Sequence, residues 1–369
     1  MSSDSGSLGA RILAELRAGP AAREKVRYQG TGDDEDWRDL NSCVRHQVLV
    51  ALQYDWKEGD HDLVRCLMEQ EVAFHRGSPF QGISDSLKLA GFLLSKFEDV
   101  HDVWLLWAAK KSNFDTECGF DAEYVLSAGV EKTVQFLRAA GEPHVEAAKR
   151  LLDYIEESSA FDLAEWRSGK ADEFPASEAA EAPLTLVARY IEFGDTTRAK
   201  ATLDAWAASE PAASTGELST LRYYREELGQ LDEAVACAEE ELRRVEGRAW
   251  EWASRSKTLA RLLTKAGRFE EAHRVLSSSG LDSVEGWKTV GLGRNTIETG
   301  IDLCLACTDA ELSARAFEWA HGLLSQGSSY SLNLLEKAVR ATERLQRARD
   351  HERYSELAEK ERRRIHHDS

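Results

Sequence analysis

The chain has 369 residues, 42% of them apolar and 30% charged, with 47 Lys and Arg against 65 Asp and Glu, a formal balance of −18. That apolar share, with only six prolines, is enough for a sizeable core and argues against disorder, and the length allows one to three domains. So strong a polyanion argues against a nucleic-acid backbone or an anionic membrane surface as the main partner.

The first residues are rich in Ser and Gly and lack a basic stretch followed by an apolar one, so no secretory signal is visible. Residues 1–36 hold one short amphipathic stretch, Ile12 to Leu16, and then a Gly/Asp segment running from Gly30 to Asp36. This reads as a mobile leader that hands over to order near Trp37. Its acidic run, Asp33, Asp34, Glu35 and Asp36, lies just ahead of the expected helix and suits the positive end of that helix better than a metal. Six cysteines are scattered along the chain, which suggests free thiols and a cytoplasmic protein. The longest wholly apolar run, Val103 to Ala109, is far short of the roughly 20 residues that cross a bilayer.

From Trp37 onward apolar residues recur every three or four positions, as in Leu40/Val44/Val48/Leu52, Leu89/Leu93/Phe97 and Val130/Val134/Leu137. That is the helical period; β-branched alternation and Asn-Gly or Asp-Gly hairpin signals are nearly or wholly missing, so the class is all-α. Turn signals recur at Gly59, near Glu98, at Gly141, Gly194, Gly229 and Gly267, and near Asp309 and Asp350. Their spacing predicts an α-solenoid of about eight stacked antiparallel helical hairpins, each burying its apolar face on its neighbours. Along the chain this gives an irregular hairpin region over 37–167, a polar Ala-rich linker over 168–182, the sharpest repeats over 183–280, and further hairpins with a basic capping helix over 281–369.

Within 37–167 the most unusual stretch is Asn113-Phe-Asp-Thr-Glu-Cys118-Gly-Phe-Asp121, which follows Trp104, Trp107 and Lys110-Lys111. It reads as an ordered corner in which Asp115 and Asp121 cap helices while Phe114 and Phe120 pin the loop. Asp115, Cys118 and Asp121 are also candidates for a ligand or partner contact, and Cys118 for a nucleophile if His101 or Lys110 lies beside it. Cys304-Leu-Ala-Cys307 has no second pair or His at zinc-site spacing and reads as part of a buried helix. The ten histidines make no H-E-x-x-H pair, and no P-loop, dinucleotide fingerprint or serine elbow occurs. No cofactor and no metal are expected.

The three central copies begin Gly194-Asp-Thr-Thr-Arg-Ala199, Gly229-Gln-Leu-Asp-Glu-Ala234 and Gly267-Arg-Phe-Glu-Glu-Ala272. Gly makes the tight turn, the small Ala lets two helices approach, and Leu231 and Phe269 would plug the junction. This segment resembles the tetratricopeptide repeat family, with Tyr190 and Pro211 also where that family has an aromatic and a proline. The usual Trp and Leu-Gly of the first helix are absent, and the likeness covers roughly residues 180–280.

The resemblance implies a protein- or peptide-binding scaffold or adaptor whose first helices line a concave groove. Tyr223, Glu226 and Glu227 would come from one hairpin and Lys257, Arg261 and Lys265, a single column, from the next, with Trp250 or Trp252 as an anchor. A cationic column in an anionic protein would attract an acidic peptide or a C-terminal carboxylate, unless Glu226 and Glu227 neutralise it. The Asn of the family's carboxylate clamp is missing at these positions. Two other functions compete: an acidic protein that sequesters a basic partner, as an antitoxin or immunity protein does, and an enzyme with its site in residues 101–121.

Overall fold

In the computed structural model, residues 7–33, 36–157, 162–209, 214–245, 247–326 and 330–367 are described. The chain divides at Gly194 into two compact units, and among the described residues both are all-α apart from one two-stranded ribbon in the first.

The N-terminal unit begins with α1 (Leu8–Ala18), the ribbon of β1 (Gly30–Thr31) with β2 (Arg38–Asp39), and α2 (Ser42–Tyr54). The expected leader is instead largely folded. Ile12, Leu13 and Leu16 of α1 are buried, and Gly9 lets α1 approach α2 so closely that a Cβ there would stand 2.2 Å from the Gln47 carbonyl oxygen. Five apolar-patterned residues sufficed because the glycine removes the spacing a side chain would impose. Asp34 and Glu35 of the acidic run lie outside the described residues, as does Pro211.

Next come α3 (His61–Gly77), α4 (Asp85–Ser95), α5 (Val103–Lys110), α6 (Phe114–Gly119), α7 (Ala122–Val125), α8 (Val130–Arg138), α9 (Val145–Glu157), α10 (Leu163–Glu173) and α11 (Pro183–Glu192). Leu49, Leu52, Leu67, Met68, Leu87 and Leu93 form the centre of this unit's core. At the heart of it sits Arg45, fully buried, with Nε 2.6 Å from Glu71 Oε1 and Nη2 2.8 Å from Asp39 Oδ2. Glu71 Oε2 also accepts from Ser86 Oγ at 2.8 Å. An unpaired charge out of water is costly, and these contacts link β2, α2, α3 and the start of α4.

The expected polar linker at 168–182 is also seated. Phe174 stacks on Phe92 with ring centroids 5.3 Å apart. Glu181 is buried, accepts from Gln53 Nε2 and Tyr54 Oη at 2.8 Å each, and pairs with Arg189. Ala and Glu dominate the segment's composition, and it is docked by its single aromatic together with charged residues, Glu181 on Arg189 and Lys170 on Asp121 at 2.9 Å.

The C-terminal unit carries α12 (Thr196–Ser209), α13 (Thr215–Glu227), α14 (Leu231–Arg243), α15 (Ala249–Lys265), α16 (Phe269–Ser277), α17 (Gly291–Ala306), α18 (Ala310–Leu324), α19 (Leu332–Arg344) and α20 (Ala348–His367). Here the helices pair consecutively: α13 with α14, α15 with α16, α17 with α18, α19 with α20. The first helices also touch one another in sequence, α15 on α17 and α17 on α19.

The turns repeat too. Gly229 and Gly267 have φ of +70° and +74°, and the next amide reaches back to close the helix end, Gln230 N–H to Arg225 O and Arg268 N–H to Leu263 O, both 2.8 Å. Ala199, Ala234 and Ala272 are fully buried, as a close helix crossing requires. The first of the three copies is split by the division between units, since Gly194 closes one and Asp195 opens the other. Among the described residues no helix is long and apolar enough to cross a membrane.

Candidate functional site

On α15, Trp250, Lys257, Arg261 and Lys265 fall at i, i+7, i+11 and i+15 and so share one stripe. The helix beside it, α13, runs in the same direction. Arg255 Nη1 donates to Ser219 Oγ at 3.2 Å, and further along Arg261 Nη2 lies 2.6 Å from Glu226 Oε2. Those two contacts, at offsets of 36 and 35 residues, bracket Tyr223 and put it within a turn of the level of Lys257.

The column is not uniformly free. Glu226 takes both Arg261 and Lys265, the latter at 2.6 Å. The Arg261 fork, reinforced by Lys265, holds the Glu226 carboxyl well down at about 2 against the cost of its burial. The expected cluster of three available cations is thus reduced to one. Glu226, rather than Glu227, does the neutralising: it faces α15 and meets Arg261 and Lys265, whereas Glu227, about 100° round the helix, is exposed. Lys257 is half-buried and forms no ion pair among the described residues. Burial, with Arg261 adding repulsion, pulls its ammonium below the usual lysine value. Tyr223 is 53% exposed and Trp250 46%. Trp252, 37% exposed, is the tethered member of the tryptophan pair: its Nε1–H donates to the Ser278 carbonyl at 3.1 Å.

Behind this face lies a network that no sequence pattern singles out. Glu241, buried on α14, accepts from Arg222 Nε at 2.7 Å and Arg255 Nη1 at 2.5 Å, tying α13, α14 and α15 together. Equivalent cross-links join the following first helices, with Lys337 of α19 lying 2.6 Å from Glu298 and 2.9 Å from Asp302 of α17. The signal that was available, acid and base at matching turns of successive first helices, is too common among charged residues to select these pairs.

In the N-terminal unit the residues around 113–121 are ordered as a corner, with changed roles. Asn113, not Asp115, caps α6: its Oδ1 accepts from Thr116 N–H at 2.8 Å while Thr116 Oγ1 accepts from Asn113 N–H at 2.9 Å. Asp121 makes no side-chain cap; it accepts from Trp166 Nε1 at 2.9 Å and pairs with Lys170 at 2.9 Å. Phe120 is fully buried, its ring lying where a Cβ on Gly91 would stand 2.8 Å from it. Phe114, expected to pin the loop, is 70% exposed instead.

Cys118 is exposed. Its sequence neighbours are engaged elsewhere, His101 Nδ1 with Asp99 at 2.7 Å and Lys110 Nζ with the carbonyls of Glu117 and Phe120 at 2.7 Å each. Burial, with Lys111 next to it, lowers the Lys110 ammonium. An open cleft of about 570 Å³ lies alongside, between Trp107, Lys111 and Glu117 on one side and Arg150, Asp153 and Tyr154 on the other.

Cys304 and Cys307 are buried at the end of α17, Cys304 beside Ser313 Oγ at 3.3 Å and Cys307 beside the Asp309 carbonyl at 3.5 Å. Among the described residues no group of three or more His, Cys, Asp or Glu is placed to hold a metal. Compared with protein-family models, curated proteins and solved structures, the chain gives no match.

Proposed function

We propose that the chain is a helical-repeat binding scaffold, tetratricopeptide-like at its centre, whose α13–α15 face takes an acidic peptide segment. One observation carries this reading. Lys257 is a half-buried cation with no carboxylate of its own, flanked by two exposed aromatics, Tyr223 across on α13 and Trp250 two turns back on α15. A partly desolvated ammonium loses hydration without recovering it in an ion pair, and an incoming carboxylate supplies that pair. Rings on either side give the bound segment apolar contact at low entropic cost. Arg261 and Lys265 act here as the wall that positions Glu226 and Lys257.

The test is fluorescence anisotropy with fluorescein-labelled peptides rich in Asp and Glu, each carrying one aromatic residue and a free C-terminal carboxylate. They are expected to bind more tightly than versions with Lys in place of the acids. Lys257→Glu should weaken them by about tenfold or more. Equal binding by Lys257→Glu, or indifference to the peptide's charge, removes this reading.

A further inference from the structure

Of the large apolar side chains exposed in the N-terminal unit, Phe114 and Phe80 are the two most accessible, 70% and 52%. Single exposed hydrophobics are ordinary on a protein surface. These two differ in being held at one corner by a braced backbone. Phe114 opens α6, and its N–H donates to Gln81 Oε1, the residue after Phe80, at 3.2 Å. Asn113 Nδ2 crosses to the Gly82 carbonyl at 3.1 Å while its Oδ1 closes the reciprocal cap with Thr116. Lys110, almost wholly buried, ties the far end of α6 through the Glu117 and Phe120 carbonyls.

On the other segment, Phe80 N–H donates to Ser78 Oγ at 3.1 Å and Ser84 N–H to His75 Nε2 at 3.1 Å, so the 78–84 connection is fixed at both ends. So many polar side chains are spent on holding a loop whose most prominent product is two bare rings. A surface aromatic whose backbone is already ordered loses little entropy on binding, which is what anchor residues of interfaces have in common.

The net charge of the unit as a whole, rather than that of the corner itself, favours a basic partner. Residues 1–194 hold 21 Lys and Arg against 35 Asp and Glu, a balance of −14, whereas residues 195–369 hold 26 against 30, a balance of −4. Beside Phe114, Glu117 is paired with Lys111, but Asp115 makes no ion pair among the described residues. We propose that this corner docks a basic protein partner, with Phe80 and Phe114 entering an apolar socket on that partner and Asp115 meeting a lysine or arginine on its rim. This surface is separate from the α13–α15 face and stands or falls independently of it.

The test pans a phage-displayed random peptide library against the full chain, with the Phe80→Ser/Phe114→Ser variant as counter-selection, and then titrates the synthetic leads by fluorescence anisotropy. Leads should be cationic and carry bulky apolar residues. The double variant should bind them about 30-fold more weakly, the scale of a pair of anchors, with an unchanged far-ultraviolet spectrum and melting temperature. If the double substitution lowers the melting temperature, Phe114→Ser alone gives the reading. Asp115→Lys should weaken binding several-fold and flatten its dependence on salt, and Lys257→Glu should leave it unchanged. Leads that are acidic, leads that bind the serine variants equally well, or a library that yields nothing beyond the counter-selected pool would each overturn the proposal.

Discussion

The two units solve the same packing problem with different chemistry. The N-terminal one buries ionised groups, Arg45 between Asp39 and Glu71, and hangs irregular short helices around them. The C-terminal one repeats a glycine turn and a buried alanine, and places most of its ion pairs where water still reaches them. A repeated turn sets geometry locally, so each hairpin is specified by its own sequence. An irregular unit has no such repetition, and its buried ionic cluster ties together elements that share no local pattern, Asp39 of β2, Arg45 of α2 and Glu71 of α3.

The sharpest way to break this contrast is to remove one charge from each unit. Arg45→Met leaves two carboxylates buried without their cation and should cost about 3–5 kcal/mol. Glu241→Gln, whose partners Arg222 and Arg255 are partly exposed, should cost about 1–2 kcal/mol. Urea denaturation with hydrogen exchange read separately over 27–75 and 219–260 measures both; equal losses would erase the distinction.

Glycine replacements come next. A Cβ on Gly9 would strike the Gln47 backbone, whereas on Gly300 it would meet the Trp319 ring at 2.6 Å. A ring can shift and a helix backbone cannot without moving α1. Gly9→Ala should therefore destabilise by about 2–3 kcal/mol and Gly300→Ala by about 1 kcal/mol, compared by thermal unfolding. Indifference to Gly9→Ala would restore the mobile leader.

Acid should separate the units by pH. Burial holds the His75 imidazole below its ordinary value of 6.5, with Nδ1–H donating to the Glu71 carbonyl and Nε2 accepting from Ser84. A folded-state value below the unfolded one means the unfolded chain binds the proton first. His75 thus contributes stability that is full above about pH 6.5 and declines as the pH falls below it. For Glu226 the depressed carboxyl contributes above the ordinary 4.5 and is lost between there and about 2. Exchange at pH 5.5 should accelerate around 71–87 before it does around 226–265, and His75→Gln should remove that early step. The smallest effect belongs to the proposed peptide face: Lys257→Glu and Trp250→Ala should each change stability by less than about 0.5 kcal/mol.

The repeating half of the fold was the more legible in sequence, because Gly229/Ala234 and Gly267/Ala272 recur in register and each member has one role. Gly194/Ala199 carries the same signature, yet what packs on α11 is decided by Arg189, Glu181 and His46, whose partners lie 135–146 residues away or in the neighbouring segment. Long-range pairing of that kind leaves no local pattern. The column on α15 was visible from its spacing; that Glu226 and not Glu227 occupies it depends on which side of one helix turn faces the neighbour. At 113–121 composition flagged the corner, but not that Phe114 points out while Phe120 points in. Both rings follow the same chain, and only the gap left by Gly91 across the core distinguishes them.

Glu226 gives the α13–α15 face an incumbent. Any guest carboxylate steered toward Arg261 or Lys265 arrives at a seat already taken and must win it by exchange, recovering only the difference between two similar contacts. On the proposed reading the fork acts as a tariff on indiscriminate acidity: a featureless acidic run would gain one productive contact, at Lys257, and only a guest that also met Tyr223 and Trp250 would gain more.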